Sequence, residues 1–299
     1  MTDPSRPSYG PRVVAAVVAT GAAALVWLVW RYFVGTPEGQ LLDAAAFDGA
    51  TYGQGRLWQL AEPVLDIVSV TFVAAGIVTA VVVALVRRRW GLAVQVAAVV
   101  IGANVTTQLL KYSVLDRVDL VGGWSESTNT LPSGHTTVAA SVAVALLIAV
   151  PRGGRPIVAL LGGGYAAATG VSTLVGQWHR PSDVVAALLV VLAWGAVVLA
   201  LTPRTGLDRD TAALGRSSVG GGSWTVAVLL LVGGAAALVG AFAAGSEVLA
   251  APAGATPTVT AYVGGALGVV GVTAVVFALL LLLRQSTAYP RPLQHGPVG

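Results

Sequence analysis

The chain has 299 residues, of which 56% are hydrophobic and only 10% charged, with 37 glycines and a formal net charge of +4. Soluble domains carry about 25% charged residues, and a mean hydropathy of +0.80 excludes both a water-soluble globule and a disordered chain, which needs low hydrophobicity and high charge. A polytopic membrane protein remains; the lack of cysteine further excludes disulfides, thiolate metal sites and cysteine nucleophiles.

A membrane-spanning helix needs about 20 mostly apolar residues. Eight stretches meet or approach that length: Val13–Val34, Val64–Val86, Gly91–Leu110, Thr136–Val150, Ile157–Trp178, Val184–Leu201, Thr225–Ala244 and Ala261–Leu283. The fold class expected is therefore all-α, a polytopic membrane helix bundle. The first stretch is too long for a signal peptide and lacks a clear A-x-A cleavage site, so it reads as retained. With the N-terminus in the cytoplasm, twelve of the 17 basic residues fall on the inner side. Only Arg31, Arg56, Lys111, Arg117 and Arg180 fall outside, which is a strong positive-inside bias. Residues 1–12 then form a cytoplasmic tail, 13–202 a six-helix membrane domain, 203–223 a polar cytoplasmic linker, 224–284 a final helix pair and 285–299 a flexible tail. Gly162-Gly163-Gly164 lies inside an apolar helix with no Lys-Ser/Thr after it, so it reads as packing, not as a phosphate loop. Gly264-x-x-x-Gly268 permits close helix approach in the last span.

The polar residues that packing does not explain gather on one side. Of three histidines, His295 is in the tail. His135 follows Leu131-Pro132-Ser133-Gly134, and His179 stands in Trp178-His179-Arg180-Pro181-Ser182-Asp183; they are 44 residues apart. The chain enters along the fourth span and returns along the fifth, so both histidines meet the outer face, where Lys111 and Arg117 also follow the third span. Singly, a Lys or Arg at a helix end snorkels to headgroups, and Asp183 suits a helix N-terminus. Those readings leave the convergence unexplained. A phosphoryl group in transfer carries negative charge on its oxygens, and its catalysis is mostly positioning with cations and N–H donors. Lys111 and Arg117 supply charge, and Ser133 with the backbone around Gly134 can line an anion nest at a helix start. One imidazole can attack phosphorus while another protonates the leaving oxygen, and Asp183 can fix the tautomer of His179.

These segments resemble the three signature motifs of the type 2 phosphatidic acid phosphatase superfamily, which includes bacterial acid phosphatases and vanadium haloperoxidases. The motifs are Lys111-x5-Arg117, Pro132-Ser133-Gly134-His135 and Ser172-x6-His179-x3-Asp183. The resemblance covers Val13 to Leu201, since membrane members have a six-helix core, and makes the last two spans an addition to that core. It implies that His179 is the nucleophile, oriented by Asp183, that His135 is the general acid, and that Lys111, Arg117, Ser133 and Gly134 bind the phosphate oxygens. It implies no metal and no other cofactor. The sequence departs from the family in two places. The first motif is one residue short with Val118 where proline belongs, and Thr173 replaces the arginine of the third. Arg180 is the unassigned cation that could stand in for that arginine.

The function expected is a metal-independent phosphatase acting on a lipid phosphate or diphosphate at the outer face of the cell membrane through a phosphohistidine. Two alternatives are a non-catalytic lipid-phosphate binder or transporter, and a metal-dependent hydrolase using His135, His179 and Asp183 as a two-His-one-carboxylate set. The partners expected are a lipid phosphate substrate and membrane lipids, with no nucleic acid; the last two helices could also carry a homo-oligomer contact.

Overall fold

The computed structural model describes residues 9–67, 90–121, 129–203, 207–208, 219–252 and 254–289. Among the described residues the fold is all-helical: α1 Tyr9–Phe33, α2 Pro37–Ile67, α3 Trp90–Leu109, α4 Gly134–Ala149, α5 Arg155–Val175, α6 Pro181–Ala200, α7 Gly221–Ala250 and α8 Thr258–Thr287. Six helical segments are long and apolar enough to cross a membrane, built on α1, α3, α5, α6, α7 and α8, while α4 is a shorter apolar helix. The chain is a multi-pass membrane protein. Most of the expected second span, residues 68–86, lies outside the described residues, as does most of the expected linker.

Helix α6 is the hub. Its sequence is apolar on every side, which suits a helix buried all round, and Val184, Leu188, Val191 and Leu199 are fully buried. It packs against α1, α3, α4 and α8. By contrast, α1 and α7 are mostly exposed; Val17 and Trp27 on α1, and Leu229, Val239 and Phe242 on α7, face outward, as surfaces bathed in lipid require.

One feature was not anticipated. The segment between the first two spans is helical: α2 is 31 residues long and lies against α5 and α8. Its small residues allow this, since a Cβ on Gly49 would strike the Thr258 carbonyl and one on Gly53 would strike the Tyr262 ring. The added helix α8 is packed into the bundle. It packs against α2, α5 and α6 as well as α7, with Phe277 and Leu281 fully buried. The glycine run on α5 serves this packing, a Cβ on Gly163 meeting the Phe277 ring at 3.2 Å, and Gly264 faces Ala244 of α7. Helix α8 also continues to Thr287 with Gln285 buried, so the first residues of the expected tail are helical.

Side-chain contacts define the two ends of the bundle. At one, Arg12 of α1 donates to the carbonyls of Ala200 and Thr202 at the end of α6. At the other, Trp30 of α1 donates to the carbonyl of Asp116, beyond α3. All three motif segments lie at this second end.

Candidate active site

Helix α3 ends in a π-turn, Leu110–Val114, which carries Lys111. Such turns insert a residue's worth of rotation and recur at functional sites. The segment beyond it is tied down by Asn129, whose amide donates to the Lys111 carbonyl at 3.1 Å. Ser133 is the N-cap of α4 and its hydroxyl accepts from the Thr136 N–H at 3.3 Å, one of the helix-start donors that lack an intrahelical partner. Ser133 is fully buried, and its hydroxyl oxygen takes part in this cap at the helix start where the sequence suggests an anion nest. Gly134 opens the helix; a Cβ there would meet nothing nearer than the Gln108 amide at 4.0 Å.

The turn between α5 and α6 carries His179. It is tight, with Gln177 at φ 54°, a left-handed conformation that a non-glycine residue adopts at a cost. Gln177 is held there by donating to the Phe47 carbonyl of α2 at 2.9 Å. The His179 N–H closes onto the Thr173 carbonyl at 3.3 Å. Helix α6 then starts with Arg180 as N-cap and Asp183 at the third helical position, whose carboxylate accepts from the Arg180 N–H at 3.0 Å.

Asp183 is the electrostatic centre. It is fully buried, and its Oδ2 also meets His179 Nδ1 at 3.2 Å and accepts from the Thr130 hydroxyl at 2.6 Å. The Asp183 carbonyl accepts from the Ser133 N–H, so the second and third motifs are joined through the backbone. With Nδ1 turned to the carboxylate, Nε2 is the nitrogen available for chemistry. The His135 ring lies 6.1 Å from the His179 ring and 5.3 Å from the Trp178 ring, centroid to centroid. Lys111 is near enough to His135 for their charges to interact. Arg117 pairs with Asp43 of α2 at 3.4 Å. Arg180, almost wholly buried, donates to the Thr130 hydroxyl at 2.9 Å and lies over the Phe47 ring. It stands behind Asp183 in a relay through Thr130. Thr173 is fully buried with its hydroxyl bonded to the Gly170 carbonyl at 2.7 Å.

The structure therefore brings His135, His179, Asp183 and Lys111 together at one end of the bundle, with Arg117 and Arg180 beside them. A family model, the PAP2 superfamily, matches residues 14–206. The chain belongs to the PAP2 superfamily. The matched span holds every motif residue from Lys111 to Asp183 and stops short of α7. A phosphatase-type activity goes with that membership. No curated protein and no solved structure matches the chain. Sequence reasoning missed four residues of this PAP2 site: Asp43, Phe47, Thr130 and Gln177. The first two sit on α2, whose small residues at helical spacing (Ala46, Gly49, Ala50, Gly53) were the available signal. Among the described residues no group of three His, Cys, Asp or Glu side chains is arranged to hold a metal ion; His179 and Asp183 face each other, not a shared point.

Proposed function

We propose that this PAP2 protein hydrolyses a lipid phosphate or diphosphate at the outer membrane face through a phosphohistidine. The observation that carries the reading is the His179 Nδ1–Asp183 contact with the second imidazole, His135, one ring away. In the first step His179 Nε2 forms a bond to phosphorus, the bond from phosphorus to the lipid oxygen breaks, and that oxygen takes a proton from His135. Asp183 stabilises the positive charge that His179 gains. In the second step His135 accepts a proton from water, the water oxygen attacks phosphorus, and inorganic phosphate leaves as His179 is restored. Lys111, Arg117 and the N–H groups at the start of α4 hold the phosphate oxygens; Arg180 supports Asp183 through Thr130. A lipid is favoured because the site opens at the end of a membrane bundle, where a headgroup presents itself.

Purified protein in detergent is expected to release phosphate from phosphatidic acid or a polyprenyl diphosphate. Orthovanadate, which mimics five-coordinate phosphorus, is expected to inhibit, and EDTA to leave the rate unchanged. Loss of activity with EDTA, restored by a divalent ion, would favour the metal-dependent reading; tight vanadate binding with no phosphate release would favour the non-catalytic binder.

Orientation has its own test, because the chain has no cysteine of its own. Thr51 at the motif end and Gly153 at the opposite end are both exposed. In intact cells an impermeant maleimide should label Thr51→Cys and spare Gly153→Cys, as the basic-residue bias requires. The reverse pattern would turn the site to the cytoplasm.

A further inference from the structure

Asp43 belongs to none of the three motif segments. It sits on α2 and is 1% exposed. Its carboxylate is nevertheless engaged by two of those segments. The Ser182 N–H donates to Oδ1 at 3.3 Å and the Ser182 hydroxyl donates to Oδ2, while the Arg117 guanidinium lies 3.4 Å from Oδ2. Ser182 is the second residue of α6, where a backbone N–H has no intrahelical partner, so an acid from another helix caps α6 and complements its dipole. The next residue is Asp183. Arg117 comes from the segment beyond the π-turn of α3. One buried carboxylate thus joins α2, the first motif and the helix that orients His179.

The surroundings of Asp43 are asymmetric. On one side is a small polar recess lined by Gln40, Arg117, Asp119 and Arg180. On the other is an apolar cleft to which α8 offers Gly264, Gly265 and Gly268 and α7 offers Ala241 and Gly245. The charged groups that act on Asp43 are Arg117, Arg180 and Asp183, with Asp119 at the recess; α7 and α8 bring none to the cleft lining. Burial pushes the Asp43 carboxyl up to about 6, Asp183 adding to the rise and Arg117 opposing it. The backbone cap of α6 alone would not require a charge, since one amide oxygen can accept from the Ser182 N–H and the Ser182 hydroxyl can turn to accept from the amide N–H. Arg117 is the partner for which the charge matters.

We propose that Asp43 is a positioning residue that holds the Arg117 guanidinium in place for the phosphate and locks it to the start of α6. The proposal rests on the phosphatase reading for its role in turnover, but it also makes a claim about anion binding that does not need turnover.

The test is a double-mutant cycle with Asp43→Asn, Arg117→Gln and the pair, read by orthovanadate affinity and by kcat/KM for phosphate release. Asparagine keeps an acceptor for the Ser182 N–H, turns the second Ser182 contact into one that the amide N–H donates, and removes the charge. Asp43→Asn is expected to lower both quantities at least about tenfold at pH 7.5, and to cost nothing further once Arg117→Gln is present, because neighbours that act through one another are non-additive. The ratio of wild type to Asp43→Asn should rise with pH, with a midpoint near 6, where Asp43 ionises; taking the ratio cancels titrations common to both proteins. Asp43→Glu, which has the cleft to accommodate its extra methylene, should stay within about threefold of wild type. If Asp43→Asn alone does not fold, the pair removes both charges and is compared with Arg117→Gln directly: equal values support the proposal and a further loss overturns it. Additive effects, or a ratio flat between pH 5 and 8, overturn it as well. Vanadate coupling without any phosphate release would uphold the Asp43 role and reject the phosphatase reading; release with no coupling would do the opposite.

Discussion

Replacing His179 with alanine should lower phosphate release by at least about 10⁴-fold, a magnitude typical of removing a nucleophile that acts as one unit with its partners. The basis is directional. Nδ1 of His179 faces the buried Asp183 carboxylate, so its proton is on that side and the Nε2 lone pair is left for chemistry. Among the described residues no other imidazole in the site has a carboxylate partner: His135 is flanked by Trp178 and His179 rings. Two further variants separate the roles. Asp183→Asn keeps the shape but presents an amide that can favour the wrong tautomer, and a fall of about 10²–10⁴ is expected. His135→Ala should slow phosphoenzyme formation most for poor leaving groups, since its proton matters least when the leaving oxygen is a weak base. With a ³²P-labelled lipid, label should remain on the wild-type protein after an alkaline quench and be lost in acid, as a phosphoramidate bond behaves, and should be absent from His179→Ala. If that variant retained turnover within about tenfold of wild type, with unchanged thermal stability, His179 would not be the nucleophile.

What the sequence made legible depended on how local each feature is. Ser133-Gly134-His135 and His179-x3-Asp183 place their side chains through the first turns of α4 and α6, so spacing along the chain translates directly into geometry. The spans were legible because the bilayer imposes length and hydropathy on each helix separately. Helix α2 was not, because its mean hydropathy falls below that of a span and its partners, α5 and α8, are more than 80 residues away in sequence. The consequence reaches the candidate site: α2 braces the turn that carries His179 through Asp43, Phe47 and Trp58, whose ring packs edge-on against Trp178. The role of Arg117 was likewise only half visible. Its charge could be read, but the buried acid that holds it could not.

The place of α8 leads to the second large effect, at the opposite end of the bundle. Arg155 opens α5 and is 1% exposed, yet it is charged. Its guanidinium is bidentate to Asp208, at 2.6 and 3.1 Å, and donates to the Gln285 side chain of α8 at 2.9 Å. Gln285 in turn donates to the Arg152 carbonyl and to the Ser223 hydroxyl of α7, and Arg284 donates to the Ile148 carbonyl of α4. This latch joins α4, α5, α7 and α8 through buried polar groups. Removing one partner of such a pair leaves an uncompensated buried charge and costs about 3–5 kcal/mol. Asp208→Ala should therefore lower the thermal midpoint of the purified protein by roughly 5–15 °C. Replacing both ions by apolar residues, Arg155→Met with Asp208→Leu, removes the stranded charge, so most of the loss should be recovered. Equal losses in the single and double variants would mean that packing volume, and not the charge, sets the effect. Because α8 also carries Gly265, where a Cβ would strike Pro181 at the first turn of α6, a loosened latch has a direct mechanical route to the site. Asp208→Ala should then lose phosphate release at temperatures several degrees below its global unfolding, a gap that wild type should not show.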